Sequence, residues 1–334
     1  MNKYLTKLSA INAGTGFKNL MSAFRVNYKQ EIRDSQNELL LLHHKLRLFR
    51  HELLYFKVTD FFSRNPNANY ALELAYLNEI GSIALFPYRQ CRPIETIICE
   101  VDTATKMPYV LHRGKKKLFF PASWDINAVR TAYVSLVEEQ NILGGGYSEK
   151  APHQYQTETF CVKETDTVLD IGAAEGLFGL EVVDIVRKVY VFECDPVWLA
   201  PLKATFAPYK DKVVIINKFV ADVDSPNQIR LDTCLKNESY ESLFLKLDIE
   251  GSEKVVLAGN KASLTQPTDI RIACCTYHEQ NDAAYLNDLL QRLGYQTEFS
   301  DGYMIYVHDE NIQPPYFRPG LIRARRNRQA NADH

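Results

Sequence analysis

The segment Asp170-Ile171-Gly172-Ala173-Ala174-Glu175-Gly176 joins an apolar run to a helical one and carries the sharpest chemical signal in the chain. Its two glycines let the backbone bend and come close to a ligand. The loop amides and the helix start direct positive potential toward that ligand. A nicotinamide dinucleotide would need Gly-x-Gly-x-x-Gly. Here the second glycine position is Ala174 and the third is Leu177, so that pattern fails. The acid just before the loop, Asp170, suits a cofactor with a cationic amino-acid end and no phosphate. S-adenosylmethionine, with its ammonium and sulfonium, is such a cofactor. Asp170, Gly172, Ala173, Ala174, Glu175 and Gly176 are its expected cradle. Glu193 ends the next apolar run about 20 residues on, where a carboxylate can accept both ribose hydroxyls. Cys194 lies beside it. Asp222, after Val220-Ala221, is expected at the adenine amino group, with a turn-capping role as the equal alternative.

A second set of residues could act on an acceptor. In Phe244-Leu245-Lys246-Leu247-Asp248-Ile249-Glu250-Gly251-Ser252-Glu253, Asp248 and Glu250 share one side if the strand continues. Asp248 would then sit beside the sulfonium or an acceptor hydroxyl. Glu253 would cap the following helix or satisfy Lys246. His278 follows an apolar run and could accept a hydroxyl proton, with Asp248 as the other candidate base. His153 and Tyr155 precede the first strand of this region, where the chain could close over the cofactor as a lid. The spacing demands no metal. A divalent cation on Asp248, Glu250 and a further oxygen or nitrogen ligand is the lesser alternative.

Residues beyond 147 alternate between apolar strands and amphipathic helices. Strand starts at 167, 188, 212, 242 and 270 recur at about the length of one strand–helix crossover. Near-continuous apolar strands fit a mostly parallel sheet covered on both faces. The expectation is a doubly wound α/β domain over 147–310, with a seven-stranded sheet. Tyr295–Ser300 and Tyr303–Val307, flanking Asp301-Gly302, predict a terminal antiparallel hairpin. Such an ending is found in class I methyltransferases and not in the usual dinucleotide-binding arrangement.

Before that domain lie a basic arm over 1–30 and a helical plus β-hairpin region over 31–146. In that region Leu39, Leu42, Leu46, Phe49, Leu53 and Phe56 draw an apolar seam down a helix spanning 31–62. A homodimer through this helix is one reading, and packing on its own chain is the other. A second helix over 70–85 has Asn69 as its expected cap. Strands follow near 96–101, 109–112 and 117–120, then a helix over 127–140 and a flexible joint at Gly144-Gly145-Gly146. Residues 311–334 read as a solvated basic tail carrying Arg318, Arg323, Arg325, Arg326 and Arg328.

The run Lys246-x-Asp248-x-Glu250-Gly251-x-Glu253, with Asp170–Gly176, Phe192–Pro196 and Leu231-Asp232-Thr233 before it, resembles the FkbM family of S-adenosylmethionine-dependent methyltransferases. The resemblance covers about Ser148–Val307. Glu139-Gln140 and Pro152-His153-Gln154-Tyr155 look like the lead-in of some members. It implies O-methylation of a hydroxyl on a sugar or a small natural product, without fixing the acceptor.

Composition narrows the remaining classes. The 334 residues hold 39 Lys and Arg against 41 Asp and Glu, a formal charge of −2, which does not suggest nucleic acid as the partner. The seven cysteines show no CxxC spacing and several lie in apolar runs, so they read as buried thiols of a cytoplasmic protein. No apolar run approaches the roughly 18–20 residues of a membrane span. Two readings compete with the transferase: a methyltransferase-like scaffold without catalysis, and a nicotinamide oxidoreductase that the failed glycine pattern disfavours.

Overall fold

The computed structural model describes residues 15–91, 97–143, 146–147, 150–266 and 268–326, with side chains in the first helix from Asp34 onward, Asn37 excepted. Residues 1–14 of the basic arm, Gly144-Gly145 of the joint and Arg328 lie outside the described residues. The chain divides into two compact units, 1–57 and 58–334. The first helix, α1 (Thr15–Arg64), begins well inside the stretch expected as an arm. Its seam residues from Leu39 to Phe56 are exposed, and so are Leu40, Leu41 and Leu48, so exposure does not single out the seam. Among the described residues no helix is long and apolar enough to cross a membrane.

In the larger unit, Asn67 caps a single 3-10 turn ahead of α2 (Ala71–Ile80), taking the role expected of Asn69. Strands β1 (Cys99–Val101), β2 (Pro108–His112) and β3 (Lys116–Phe119) form a small antiparallel sheet, followed by α3 (Ile126–Glu139). Val110, Leu118, Val129, Tyr133 and Val137 from these elements share one buried cluster with Val168, Leu177 and Val189 of the main sheet region. The boundary expected near 146 therefore does not separate two cores.

The main sheet is built from β4 (Asp166–Ile171), β5 (Lys188–Phe192), β6 (Val213–Ile216), β9 (Ser242–Leu247), β10 (Asp269–Cys275), β11 (Gln296–Phe299) and β14 (Leu321–Arg326). Shorter ladders pair β7 (Phe219–Val220) with β8 (Gln228–Ile229), and β12 (Tyr303–Met304) with β13 (Arg318–Pro319). Helices α4 (Leu177–Val182), α5 (Pro196–Phe206), α6 (Leu231–Cys234), α7 (Glu253–Gly259), α8 (Lys261–Leu264) and α9 (Asp282–Arg292) connect the strands. The strand order is β11-β14-β10-β9-β4-β5-β6, with β14 antiparallel to both of its neighbours. Strict alternation sends Leu169, Leu245, Ile272 and Cys274 into one core face, and Val168, Phe244, Ala273 and Cys275 into the other. Asp170 and Lys246 follow the second set by two residues, so they belong to the face that also receives Cys275.

The terminal hairpin departs from expectation. Strand β11 pairs with β14, twenty residues later, and not with the stretch after Asp301-Gly302. Gly302 explains why: a Cβ there would stand 2.6 Å from the Tyr88 hydroxyl, which also accepts from the Tyr303 amide. That contact diverts the chain into β12. The stretch expected as a solvated tail thus contributes the strands Arg318–Pro319 and Leu321–Arg326. Arg323 and Arg325 reach the carbonyls of Gln154 and Thr159, each at 2.6 Å.

Candidate active site

Ligands of a doubly wound sheet gather at the carboxyl ends of its strands. There the loop after β4 and the turn after β9 touch. Gly172 has φ +76°, and a Cβ on it would lie 2.0 Å from the Asp248 carbonyl oxygen. Ala174 is also left-handed, with φ +46°. A cleft of about 860 Å³ opens instead at the amino ends, where Ser242 and Asp269 begin β9 and β10. It does not adjoin this loop.

Asp170 proves to be an internal strut and not a ligand contact. Its carboxylate is fully buried, accepts from the Gly179 amide at 3.0 Å and lies 3.3 Å from Lys246 Nζ. Lys246 also donates to the Gly172 carbonyl, so the pair holds both ends of the glycine loop. Burial pushes the Asp170 carboxyl up, opposed by Lys246 and the Gly179 amide. Lys246 therefore serves Asp170, and Glu253 is not its partner. Ala173 packs into the core, and Glu175 is turned inward with Oε1 3.3 Å from the Leu177 amide.

Glu193 follows β5 and lies against the glycine loop. Its Oε2 accepts from the Ala174 amide at 2.8 Å and its Oε1 from the Asp195 amide at 2.7 Å. A carboxylate has lone pairs left beyond these two bonds, enough for a pair of ribose hydroxyls. Cys194, half-buried beside it, has its thiol pushed up by burial and by the Glu193 charge. Asp222 does not reach the crevice, because the expected third strand breaks after Ile216. Its Cβ lies 2.2 Å from where a Gly259 side chain would start, at the far end of α7. The residue that follows β6 at the crevice is Asn217, whose amide donates to the Glu193 carbonyl at 2.7 Å.

Asp248 is the centre of the second cluster. Tyr155 donates to its Oδ2 at 2.9 Å and Tyr277 to its Oδ1 at 3.1 Å. His153 Nε2 lies 3.6 Å from Oδ2, and His278 Nε2 lies 3.5 Å from Oδ1. Burial would raise the Asp248 carboxyl, but His153, Lys246 and His278 together hold it well below the usual range. Glu253 Oε1 accepts from the Ile249 amide and sits 3.0 Å from His278 Nδ1, which turns the ring so that Nε2 faces Asp248. Burial would lower the His278 imidazole; the Glu253 contact and the Asp248 and Glu250 charges outweigh it and raise the pKa. Glu250 is not on a continuing strand. It occupies a left-handed turn at φ +55°, largely exposed, accepting from the Tyr306 hydroxyl at 3.0 Å. His153 and Tyr155 are only 5% and 3% exposed and pack as a buried wedge against Asp248.

The buried Glu175 gives the loop a pH dependence. Burial lifts its carboxyl to about 7 from 4.5, opposed weakly by loop amides and Lys246. A raised acid stabilises fully below the unfolded value, and that contribution is lost as pH rises through the folded one. Over 4.5 to about 7 the ligand-free protein is expected to lose on the order of 3 kcal/mol from this group. Glu175→Gln is expected to flatten melting temperature against pH across that window. An unchanged slope in the variant would show that Glu175 is ionised throughout.

A sheet whose antiparallel strand lies between its fifth and sixth parallel neighbours, with a glycine loop after the first strand and an acid after the second, is the class I fold of S-adenosylmethionine-dependent methyltransferases, and S-adenosylmethionine is its cofactor. In sequence, residues 153–247 match the ribosomal RNA adenine dimethylase family. That match lies wholly in the cofactor half and ends one residue before Asp248. No curated protein matches the chain in sequence. Among solved structures, precorrin-6y C5,15-methyltransferase from Geobacter metallireducens is 12% identical over 50% of this chain and 82% of its own, with a TM-score of 0.34. An rRNA methylase from Streptococcus thermophilus is 13% identical over 50% and 90%, at 0.34. The ribosomal protein L11 methylase of Lactobacillus delbrueckii subsp. bulgaricus is 8% identical over 48% and 69%, at 0.30.

Proposed function

We propose that the chain transfers the methyl group of S-adenosylmethionine to a hydroxyl of a sugar, glycan or small natural product, as its FkbM-like motifs imply. One observation carries this reading. Asp248, whose backbone abuts the glycine loop, has its carboxylate faced by the Nε2 of a histidine that Glu253 holds from behind. Methyl transfer to oxygen is an in-line displacement. The hydroxyl oxygen bonds to the methyl carbon, the carbon–sulfur bond breaks, and the hydroxyl proton leaves to a base. His278 Nε2, in its neutral form, and Asp248 are the groups placed to take that proton. Outside them, a cleft of about 430 Å³ is lined by His278, by the amides of Gln280, Asn281, Asn311 and Gln313 and by the acids Glu279 and Asp309, groups that can bond to hydroxyls.

The family match favours a second reading, methylation of an RNA base. A charge near Asp248 opposes it. Glu250, which stands 3.8 Å from His278 and is largely exposed, would repel a phosphate backbone. The test is a screen for S-adenosylhomocysteine release with hydroxylated glycans, small hydroxylated metabolites and ribosomal RNA as acceptors. Release with a hydroxylated compound, rising with pH as the raised His278 imidazole loses its proton, is the expected result. Release with RNA alone would transfer the case to the second reading. Failure of every acceptor to give release, despite binding of S-adenosylhomocysteine, would favour a non-catalytic scaffold. Stabilisation in a melt by S-adenosylhomocysteine and not by NAD excludes the oxidoreductase.

A further inference from the structure

We propose that His153 Nε2, Asp248 Oδ2 and Cys275 Sγ form a binding site for a zinc-type divalent cation, with the Tyr155 hydroxyl at its fourth corner. The three donors come from the segment before β4, the turn after β9 and the end of β10, and all lie within 4.8 Å of one another. Nε2 is 3.4 Å from Sγ, 3.6 Å from Oδ2 and 3.3 Å from the Tyr155 oxygen. Zinc bonds of about 2.0–2.3 Å would give tetrahedral edges of roughly 3.3–3.6 Å between unlike donors. The three separations from Nε2 fall in that range, and the Tyr155 oxygen, 2.9 Å from Asp248 Oδ2, would have to draw back by a few tenths of an ångström to complete the tetrahedron.

A hydrogen-bonded cluster accounts for this geometry less well. An imidazole Nε2 carries either one proton or one lone pair, so it can serve one partner. Here it faces a thiol, a phenol and a carboxylate at once, with its ring 95% shielded from solvent. A cation at the common centre satisfies all four groups together. The outer arrangement also matches a ligating histidine, whose second nitrogen normally faces a carboxylate. His153 Nδ1 makes no hydrogen bond among the described residues, and Glu139 Oε2 stands 3.8 Å from it. Tyr277 meanwhile fixes the other Asp248 oxygen at 3.1 Å. A mixed nitrogen, oxygen and sulfur donor set selects zinc or cobalt over magnesium and calcium, which prefer oxygen alone. Binding displaces the Cys275 thiol proton to solvent. Cys274 packs on the opposite face of the sheet and takes no part.

The site shares Asp248 with the proposed transfer centre but does not depend on what the acceptor is. The test uses the full chain, purified with reductant and stripped with chelator, then titrated with Zn²⁺ and separately with Co²⁺. One zinc per chain is expected, and the cobalt form should show a thiolate-to-metal charge-transfer band. Cys275→Ser should abolish that band, and His153→Gln should weaken zinc affinity at least about 100-fold. Absence of stoichiometric zinc, or a charge-transfer band that survives Cys275→Ser, would overturn the site. If Cys275→Ser fails to fold by circular dichroism, the wild-type cobalt spectrum and His153→Gln decide. Calorimetry with S-adenosylhomocysteine on the same stripped sample reports the transferase reading separately. Binding there without a zinc site removes only the cation proposal, and a zinc site without that binding removes only the cofactor reading.

Discussion

Gly172→Ala is expected to abolish S-adenosylhomocysteine binding and to cost about 2–4 kcal/mol of stability. Two effects combine at this position. With φ at +76°, a side chain costs about 1–2 kcal/mol in backbone strain alone. The new methyl would also start 2.0 Å from the Asp248 carbonyl oxygen and 2.9 Å from its carbon. Those are backbone atoms and cannot rotate away, so either the glycine loop or the turn after β9 must move. Either movement separates the cofactor cradle from Asp248, which is why binding is lost along with stability. Gly114→Ala is the matched control. Its φ is +68°, but nothing lies within 4 Å of the added carbon, so it carries the strain without the collision. The control should melt slightly lower and bind normally. Equal behaviour of the two variants in calorimetry and melting would mean that the loop and the turn are not in fixed contact.

That contact was only half legible in the sequence. The apolar runs at 167–171, 188–192, 242–247 and 270–276 gave four strands to within a residue, because strands buried on both faces must be apolar almost without interruption. Glycines 172 and 176 and the acid at 193 followed from the ends of the first two. What failed were partners that carry no sequence signal of their own. Arg323 and Arg325 looked solvated because backbone carbonyls, invisible in a sequence, satisfy them inside the sheet region. Asp301-Gly302 looked like a hairpin because its real determinant, the Tyr88 hydroxyl, lies more than two hundred residues away. Asn217 went unnoticed because apolar residues resume at Phe219-Val220, so that the end of β6 at Ile216 did not show. His153 was legible as a polar residue in a promising place. Its convergence with Cys275 and Asp248 was not, since three separate segments produce it.

Asp170 shows how the correct residue can matter for a different reason. Its type suggested a direct partner for the cofactor ammonium, yet no part of it is exposed. Asp170→Ala is still expected to lose S-adenosylhomocysteine binding, now because the loop loses its anchors. The substitution leaves the Lys246 ammonium, only 5% exposed, without its nearest counter-ion, and removes the acceptor of the Gly179 amide at the start of α4. Breaking one side of a buried pair costs about 3–5 kcal/mol, because the remaining charge stays desolvated. The melting temperature should fall by roughly 6–20 °C at about 2–4 °C per kcal/mol. Removing both charges tests the account. Asp170→Leu combined with Lys246→Met should recover much of the stability, since the stranded charge is gone, yet still fail to bind, since neither the Gly179 amide nor the Gly172 carbonyl is held. Asp170→Asn should keep the amide contact and lose less affinity than Asp170→Ala. A carboxylate that touched the cofactor directly would give the opposite pattern. Binding would collapse in the asparagine variant as fully as in the alanine one, with the fold scarcely disturbed.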